Sequence, residues 1–382
     1  MLEFLSLKPK AFGLDISDLS LKIIKLKKKR GNFSLVSLGE TPIKSGVIRG
    51  GEVKKESDLV KIIKKAISEV KGEKINTKYV IASLPEEKAF LQVIQMPKIP
   101  EENLKSAVVY EAENYIPLSI EEVYLDSQII PSAYNQLAER SEGWEMNEVH
   151  RSDHFDVLIA ALPRKTVNSY LNSLEKAGLT PLALEIESQA MARALIKNEI
   201  TTSPVLIIDF GATRTSFIIF SGHSLRFTSS IFVSSQKLTE AISQILKVDL
   251  IKAEKLKLNY GLETRGTLEG GEIFEALLPS ITELIEQIKK HLSYYQSHTA
   301  HEHLPPDSKG VGKILLCGGG SNLKGLPNFL SRELKIPVEL GNPWINILPE
   351  TKKEVPGLLF EKSLSYTTAI GLALRGVREN TQ

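Results

Sequence analysis

Three short stretches of this 382-residue chain combine residue types that handle phosphate and a divalent cation. Each is an apolar run ending in an acidic or glycine-rich turn. The first is Gly13-Leu14-Asp15-Ile16-Ser17, with Ser20 and Lys22 just beyond it. The second is Ile207-Ile208-Asp209-Phe210-Gly211-Ala212-Thr213, followed by Thr215. The third is Leu315-Leu316-Cys317-Gly318-Gly319-Gly320-Ser321-Asn322. Strand–turn–strand hairpins present backbone N–H groups and small hydroxyls to a central anion, and the donors converge because no bulky side chain lies between them. An aspartate in such a turn repels phosphate, but it holds Mg2+ through water, and the metal then bridges to phosphate oxygens. A glycine triplet lets a flat ring or a phosphate approach the backbone, and the N-terminus of the following helix adds a favourable dipole. Each motif alone also reads as a structural turn; the inference rests on all three occurring together in this order.

The elements that must position these turns repeat along the chain. Ala11 to Asp15, Leu19 to Lys27 and Asn32 to Glu40 read as three β-rich segments in a row, and Pro204 to Asp209, Thr215 to Ser221 and Ser224 to Ile231 repeat that order. The first set is followed by a helix with Leu59, Ile63, Ala66, Ile67 and Val70 at helical spacing and Ser57 as its N-cap, then by a strand from Lys78 to Leu84. The second set is followed by a helical region from Gln236 to Tyr260, a longer helix from Glu272 to His298, a strand from Lys313 to Cys317, a helix from Asn322 to Leu334 and a last one from Leu364 to Arg375. Between the halves lies an inserted unit with strands Ala89 to Met96, Val123 to Ile130 and Phe155 to Ala161, a helix from Glu101, and a long polar segment, 132–153. A helix from Lys165 to Ala177, closed by Gly178, follows. Two like openings, each followed by helices, imply two α/β halves around a cleft.

Composition excludes several classes. The net charge of +2 argues against bulk electrostatic binding of nucleic acid, and one cysteine, Cys317, rules out an internal disulfide framework and a Cys-rich zinc site. No apolar run reaches the length of a membrane helix, and the start of the chain lacks the features of a secretory signal. Some residues carry weaker readings. Glu185 and Glu187, at the passage between halves, could orient a water, although an acidic pair at a helix start is equally favoured by the dipole. Glu254 and Lys257 stand one turn apart on one side of a helix, where a surface salt bridge is the alternative. His298, His301 and His303 adjoin a polar linker and make a weak metal site. Leu2, Phe4, Leu5 and Leu7 form an apolar lead that could touch another subunit or a membrane surface.

The three turns resemble the phosphate-1, phosphate-2 and adenosine motifs of the actin-like ATPase superfamily, and the inserted unit narrows the resemblance. Glu111-Ala112-Glu113-Asn114-Tyr115-Ile116-Pro117-Leu118 with Val123-Tyr124-Leu125-Asp126, Leu278-Pro279 with Ser293-Tyr294-Tyr295, and Ala369-Ile370-Gly371-Leu372-Ala373-Leu374-Arg375-Gly376 resemble the type IV pilus assembly PilM family. The resemblance implies an α/β actin-like ATPase fold, with duplicated ribonuclease H-like lobes and an inserted FtsA/PilM-type subdomain. The expected parts are 1–84 for the first lobe, 85–185 for the insertion, 186–376 for the second lobe with its return helix, and 377–382 as a tail.

ATP and Mg2+ are the implied cofactors. Asp15, Ser17, Ser20 and Lys22 would line the first phosphate loop, and Asp209, Gly211, Thr213 and Thr215 the second. Gly318, Gly319, Gly320 and Asn322 would flank adenosine, with Glu254 and Lys257 on the helix that touches ribose and base. Asp15 and Asp209 would hold the metal, and Glu187 with Asp209 would serve whatever slow hydrolysis occurs. Ser17 and Ser234-Ser235 depart from the glycines usual at those points. The implied role is a cytoplasmic, peripheral scaffold on the inner face of the inner membrane. It would bind the N-terminal peptide of PilN, reach PilO and the pilus motor indirectly, and possess some capacity to self-associate. Met96, Ile99, Leu104 and Tyr115 are open as groove residues, with core packing the other reading. An actin-fold small-molecule kinase and an FtsA-like filament protein are the alternatives.

Overall fold

The computed structural model describes residues 10–29, 32–130, 154–263, 266–298, 310–349 and 352–378. Its first sheet is built around Phe12–Ile16, buried at every position, as a central strand covered on both faces must be. This strand pairs antiparallel with Ser20–Lys29 and parallel with Tyr79–Leu84. The full order is Thr180–Ile186, Tyr79–Leu84, Phe12–Ile16, Ser20–Lys29, Asn32–Pro42, Lys71–Gly72. The second sheet repeats the plan around Thr201–Phe210, which pairs antiparallel with Thr215–Gly222 and parallel with Lys313–Cys317. Its order is Ser224–Ile231, Thr215–Gly222, Thr201–Phe210, Lys313–Cys317, Val338–Leu340. In both lobes an antiparallel meander meets a parallel strand at its first member, so the acidic turns end equivalent strands.

Two helices join the lobes. Glu187–Leu195 leads out of the first lobe and Thr367–Arg378 returns to it. They cross where Gly371 lies on the carbonyl of Ala190; a Cβ there would collide with that carbonyl. Thr367–Arg378 also lies over the strand Phe12–Ile16, with Gly13 beneath Ala369 and Ala373. Ala369, Ile370, Leu372, Ala373 and Leu374 are fully buried, so this helix is core on nearly every face.

The inserted subdomain has its own three-stranded sheet, with His154–Pro163 in the centre and Phe90–Pro97 and Val123–Ile130 as antiparallel edges. Helix Glu101–Ala112 covers one face, and Met96, Leu104 and Val108 form the core beneath it with Val157 and Ile159. Met96 and Leu104 are thus core residues, Ile99 is partly buried against them, and Tyr115 is exposed. The insertion is narrower than 85–185. Strand Thr180–Ile186 pairs parallel with Tyr79–Leu84 in the first lobe's sheet. Val167, Tyr170 and Leu174 of helix Arg164–Lys176 enter the core that holds Leu59 and Ile63. Their apolar stripe needs a partner face, and the first lobe supplies it.

Local departures have local causes. Helix Glu56–Ser68 starts at Lys55 without a side-chain cap, so Ser57 lies inside the first turn. The region after Gln236 is two helices, Ser235–Leu246 and Leu250–Tyr260. They break at Lys247 in the left-handed conformation, and Asp249 caps the second by accepting from Lys252 N at 2.9 Å. Gly319–Asn322 is a 3-10 turn, and the α-helix after it is Leu326–Leu334. The leading tail, the 132–153 segment, His301 and His303 lie outside the described residues.

Candidate functional site: the cleft between the lobes

Asp15 sits at the end of its strand, 5% exposed, opposite Lys22 on the antiparallel neighbour. The Ser83 hydroxyl donates to Asp15 Oδ1 at 3.1 Å and accepts from Ile16 N at 2.8 Å. The turn closes through Ser17 N to Ser20 O at 3.0 Å. The Ser17 hydroxyl donates to the same carbonyl at 3.0 Å, and Lys22 Nζ donates to Ser20 Oγ at 2.7 Å. The side chain at position 17 therefore works within the turn.

Asp209 lies beside Cys317 in the parallel register, with the thiol 4.0 Å from Oδ1. Gly318, at φ +82, presses its backbone on this carboxylate: a Cβ there would strike Asp209 Oδ1 and the Phe210 carbonyl. Gly320 is packed on Phe210, whereas Gly319 has room. The second phosphate turn closes through Gly211 N to Arg214 O at 3.0 Å. Its Gly211 and Ala212 carbonyls accept from Ser235 N and Gln236 N, at 3.0 and 3.1 Å. The helix Ser235–Leu246 thus starts at this turn, and Ser234 Oγ caps it by accepting from Lys237 N. The serines at 234–235 use their side chains here. Thr213 is half-buried at the turn's edge. Thr215 is fully buried and its hydroxyl donates to Val233 O at 2.7 Å, so it braces the turn from behind.

Glu254 and Lys257 are held together at 2.7 Å, but Lys257 is buried rather than on the surface. Its ammonium also donates to Ser235 O, Ser235 Oγ and Thr239 Oγ1, all within 2.9 Å. Burial lowers its pKa, and the full set of acceptors keeps it fixed. The pair ties Leu250–Tyr260 to the helix at the phosphate turn. Just past the end of Leu250–Tyr260, Leu262 N donates to Lys324 O at 2.9 Å, two residues after the glycine-rich turn. Asn322 donates to Glu361 O at 2.9 Å, while its Oδ1 is buried without a protein partner.

Four carboxyls converge between the lobes. Burial raises the pKa of Asp15, partly offset by Lys22. Burial and then the charge of Asp15 push Asp209 up to about 6. Burial, Asp15 and Asp209 raise Glu187 well above the usual carboxylate range, and burial also raises Glu86. Glu187 Oε2 accepts from Glu86 N at 3.2 Å and Glu86 Oε2 accepts from Ser188 N at 3.0 Å, a reciprocal clasp between the lobe passage and the insertion. Glu185 does not join them: Arg193 pairs with it through two bonds at 2.5 and 2.9 Å, with Arg375 3.5 Å away. Sequence reasoning did not single out Ser83, Glu86 or Arg214. Leu84-Pro85-Glu86 and the arginine inside the second turn were the available signals.

This acidic pocket fits a cation carried on phosphate. Like charges at this spacing raise one another's pKa and favour a divalent ion between them. Among the described residues no three His, Cys, Asp or Glu form a metal cage.

The fold is that of the actin-like ATPases. MreB 5 of Spiroplasma citri, solved with AMPPNP, superposes with a TM-score of 0.54 at 13% identity, over 98% of each chain. The cell division protein FtsA of Streptococcus pneumoniae is 23% identical over 359 residues, covering 87% of this chain and 75% of that protein. FtsA of Neisseria meningitidis matches 54% of this chain and 50% of its own length, also at 23%. A solved PilM–PilN type IV pilus biogenesis complex matches with a TM-score of 0.74 and 29% identity, covering 96% of this chain and 98% of the other. The sequence profile for type IV pilus assembly protein PilM matches residues 13–377. The chain belongs to that family. No helix among the described residues is long and apolar enough to cross a membrane.

Proposed function

We propose that this protein is a nucleotide-dependent scaffold of the type IV pilus inner-membrane platform, binding Mg-ATP in the cleft and an N-terminal PilN peptide on the inserted subdomain. The observation that carries the nucleotide half is that Gly318 rests on Asp209 while the charge of Asp15 acts on Asp209. All three turns therefore share one gap. Asp15 and Asp209 would hold the metal through water, and Lys22 and Ser20 would face phosphate. Gly211 and Thr213 form the second cradle, and Gly318, Gly319, Gly320 and Asn322 bound the adenosine side. The Mg2+ carried on ATP would supply the positive charge that offsets the crowded carboxyls. Glu187 is the group set to orient a water, and its anchoring by Glu86 N leaves it in one position. Thr215, Glu254 and Lys257 support the walls rather than touch ligand.

The peptide half rests on a groove of about 610 Å3 between the first lobe and the insertion. Tyr124 to Gln128, on a strand that is an edge of the inserted sheet among the described residues, form one wall, Leu84 and Ile186 form part of the floor, and Arg375 and Arg378 stand at the rim. A strand edge unpaired among the described residues, beside an apolar floor, suits an extended peptide that adds as a strand. PilO and the motor would be reached through that partner, and membrane attachment would follow from it.

The test is titration of the purified chain with fluorescent ATP and Mg2+, wild type against Asp209→Ala. At least tenfold weaker binding is expected. Equal affinity overturns the nucleotide half.

A further inference from the structure

Among the described residues, the inserted sheet packs on the second lobe through an apolar contact that has an opening to either side. In the middle, Leu158, Ile130, Leu91 and Val93 pack on Met191 and on Ile218 and Phe220 of the second lobe. Beyond the edge strand Val123–Ile130 lies the groove described above. On the other side, just before Phe90–Pro97 begins, a cavity of about 600 Å3 is enclosed by Asp18 and Gly50 of the first lobe, Glu86 to Ala89 at the entrance to the insertion, and Arg214 and Thr228 to Phe232 of the second lobe. An apolar contact flanked by an opening on each side has the arrangement of a lever on a fulcrum.

The cavity side is held by charge. Arg214, one residue past Thr213 in the second phosphate turn, pairs with Glu87 at the entrance to the insertion. The same guanidinium lies 4.0 Å from Asp18 in the first phosphate turn. Asp18 is itself fixed by Gly50 N and Gly51 N, at 2.9 and 3.1 Å. The side chains of Arg214, Asp18 and Glu87 are only 14%, 12% and 16% exposed. One cation thus joins both phosphate turns to the inserted sheet. Farther along, Arg226 and Asp156 form a second link at 2.8 Å, both 6% exposed. Ion pairs beside a cavity can exchange partners with little repacking, whereas an apolar contact has few arrangements and acts as the pivot.

We propose that Arg214 and Glu87 form a strut that transmits nucleotide occupancy to the peptide groove. Phosphate and metal at the two turns redraw the charge around Arg214, the hold on Glu87 changes, and the inserted sheet tilts about Leu158. The edge Val123–Ile130 moves at the other end, and the groove changes width. This rests on the two-site reading above, and it assigns the coupling to one ion pair.

The experiment measures the affinity of the cognate PilN N-terminal peptide for the full chain without nucleotide and with saturating Mg-AMPPNP. Variants are Glu87→Gln and, separately, Arg214→Glu with Glu87→Arg. For the wild type the two affinities differ at least fivefold, within the usual range of allosteric coupling. In Glu87→Gln the difference falls below twofold while Mg-AMPPNP itself binds within threefold of wild type. The charge-reversed pair regains at least half of the coupling on a logarithmic scale. A Glu87→Gln protein that keeps the wild-type difference overturns the strut and leaves the two-site reading standing, as does a wild type that binds both ligands with no difference. A wild type that binds neither ligand removes the two-site reading, and the strut with it.

Discussion

The two acidic turns share a plan and differ in their support. Asp15 has a lysine across its strand pair and the Ser83 hydroxyl on its oxygen. Asp209 has a weakly polar thiol and a glycine backbone instead, and the charge on Asp15 adds to its burial. One lobe thus presents a carboxylate already partly balanced. In the other, Lys22 offsets less than burial and Asp15 add, so under the proposed function the second lobe would gain most from a bound metal. Equivalent turns of a duplicated fold thus carry carboxylates in different electrostatic surroundings.

Substitution at the glycine against Asp209 tests this most severely. Gly318→Ala puts a Cβ into that carboxylate at a backbone conformation that only glycine adopts readily, a cost of about 3 kcal/mol or more. Thermal unfolding should show a large drop in Tm and titration a loss of nucleotide binding. A variant with both intact would mean that the glycine does not press on the site.

Neutralising each aspartate sharpens the contrast. For the nucleotide-free protein near neutral pH, Asp209→Asn removes a carboxylate raised from 3.8 to about 6. After a discount for its partial opening to the cleft, the gain is about 2 kcal/mol, read as a rise in Tm of a few degrees. Asp15→Asn gains less, because it leaves the buried Lys22 ammonium without its cross-strand partner. Equal rises would erase the distinction between the turns.

The pH dependence follows from the same group. The folded protein holds the Asp209 proton more tightly than the unfolded chain, so this group's stabilising contribution is complete below about pH 4 and is lost as pH rises through about 6. Denaturant unfolding between those values should show stability falling with pH, more steeply in wild type than in Asp209→Asn. Identical slopes would place the titration elsewhere.

The smallest effect is expected at the first turn. Ser17→Gly removes the hydroxyl contact with Ser20, about 1 kcal/mol of stability, with nucleotide affinity within threefold. A tenfold gain in affinity would show that the Ser17 Cβ crowds the phosphate after all.

Much of the fold could be read from the chain because its signals are local. Alternating and continuous apolar runs placed Val123–Ile130, Ser224–Ile231 and Lys313–Cys317 at their observed bounds. Where a residue's partner is distant, reading failed or stayed open. Ser57 looked like a cap, yet the helix begins one residue before it. Glu185 and Glu187 looked equivalent, yet Arg193 claims the first while the second faces Asp15 and Asp209. The span 164–185 read as insertion until Tyr170 and Leu174 found the core of the first lobe.

The amino-acid order alone determined the three turns, their sequence along the chain and the duplicated plan, since turn chemistry and strand periodicity depend on neighbours a few residues apart. Only the tertiary structure decided which charges meet. Glu86 clasps Ser188 across 102 positions, and Arg214 spans from the second phosphate turn to Asp18 and Glu87. Electrostatic energy depends on distance in space and on the solvent removed around each group, and no pattern along the chain encodes either.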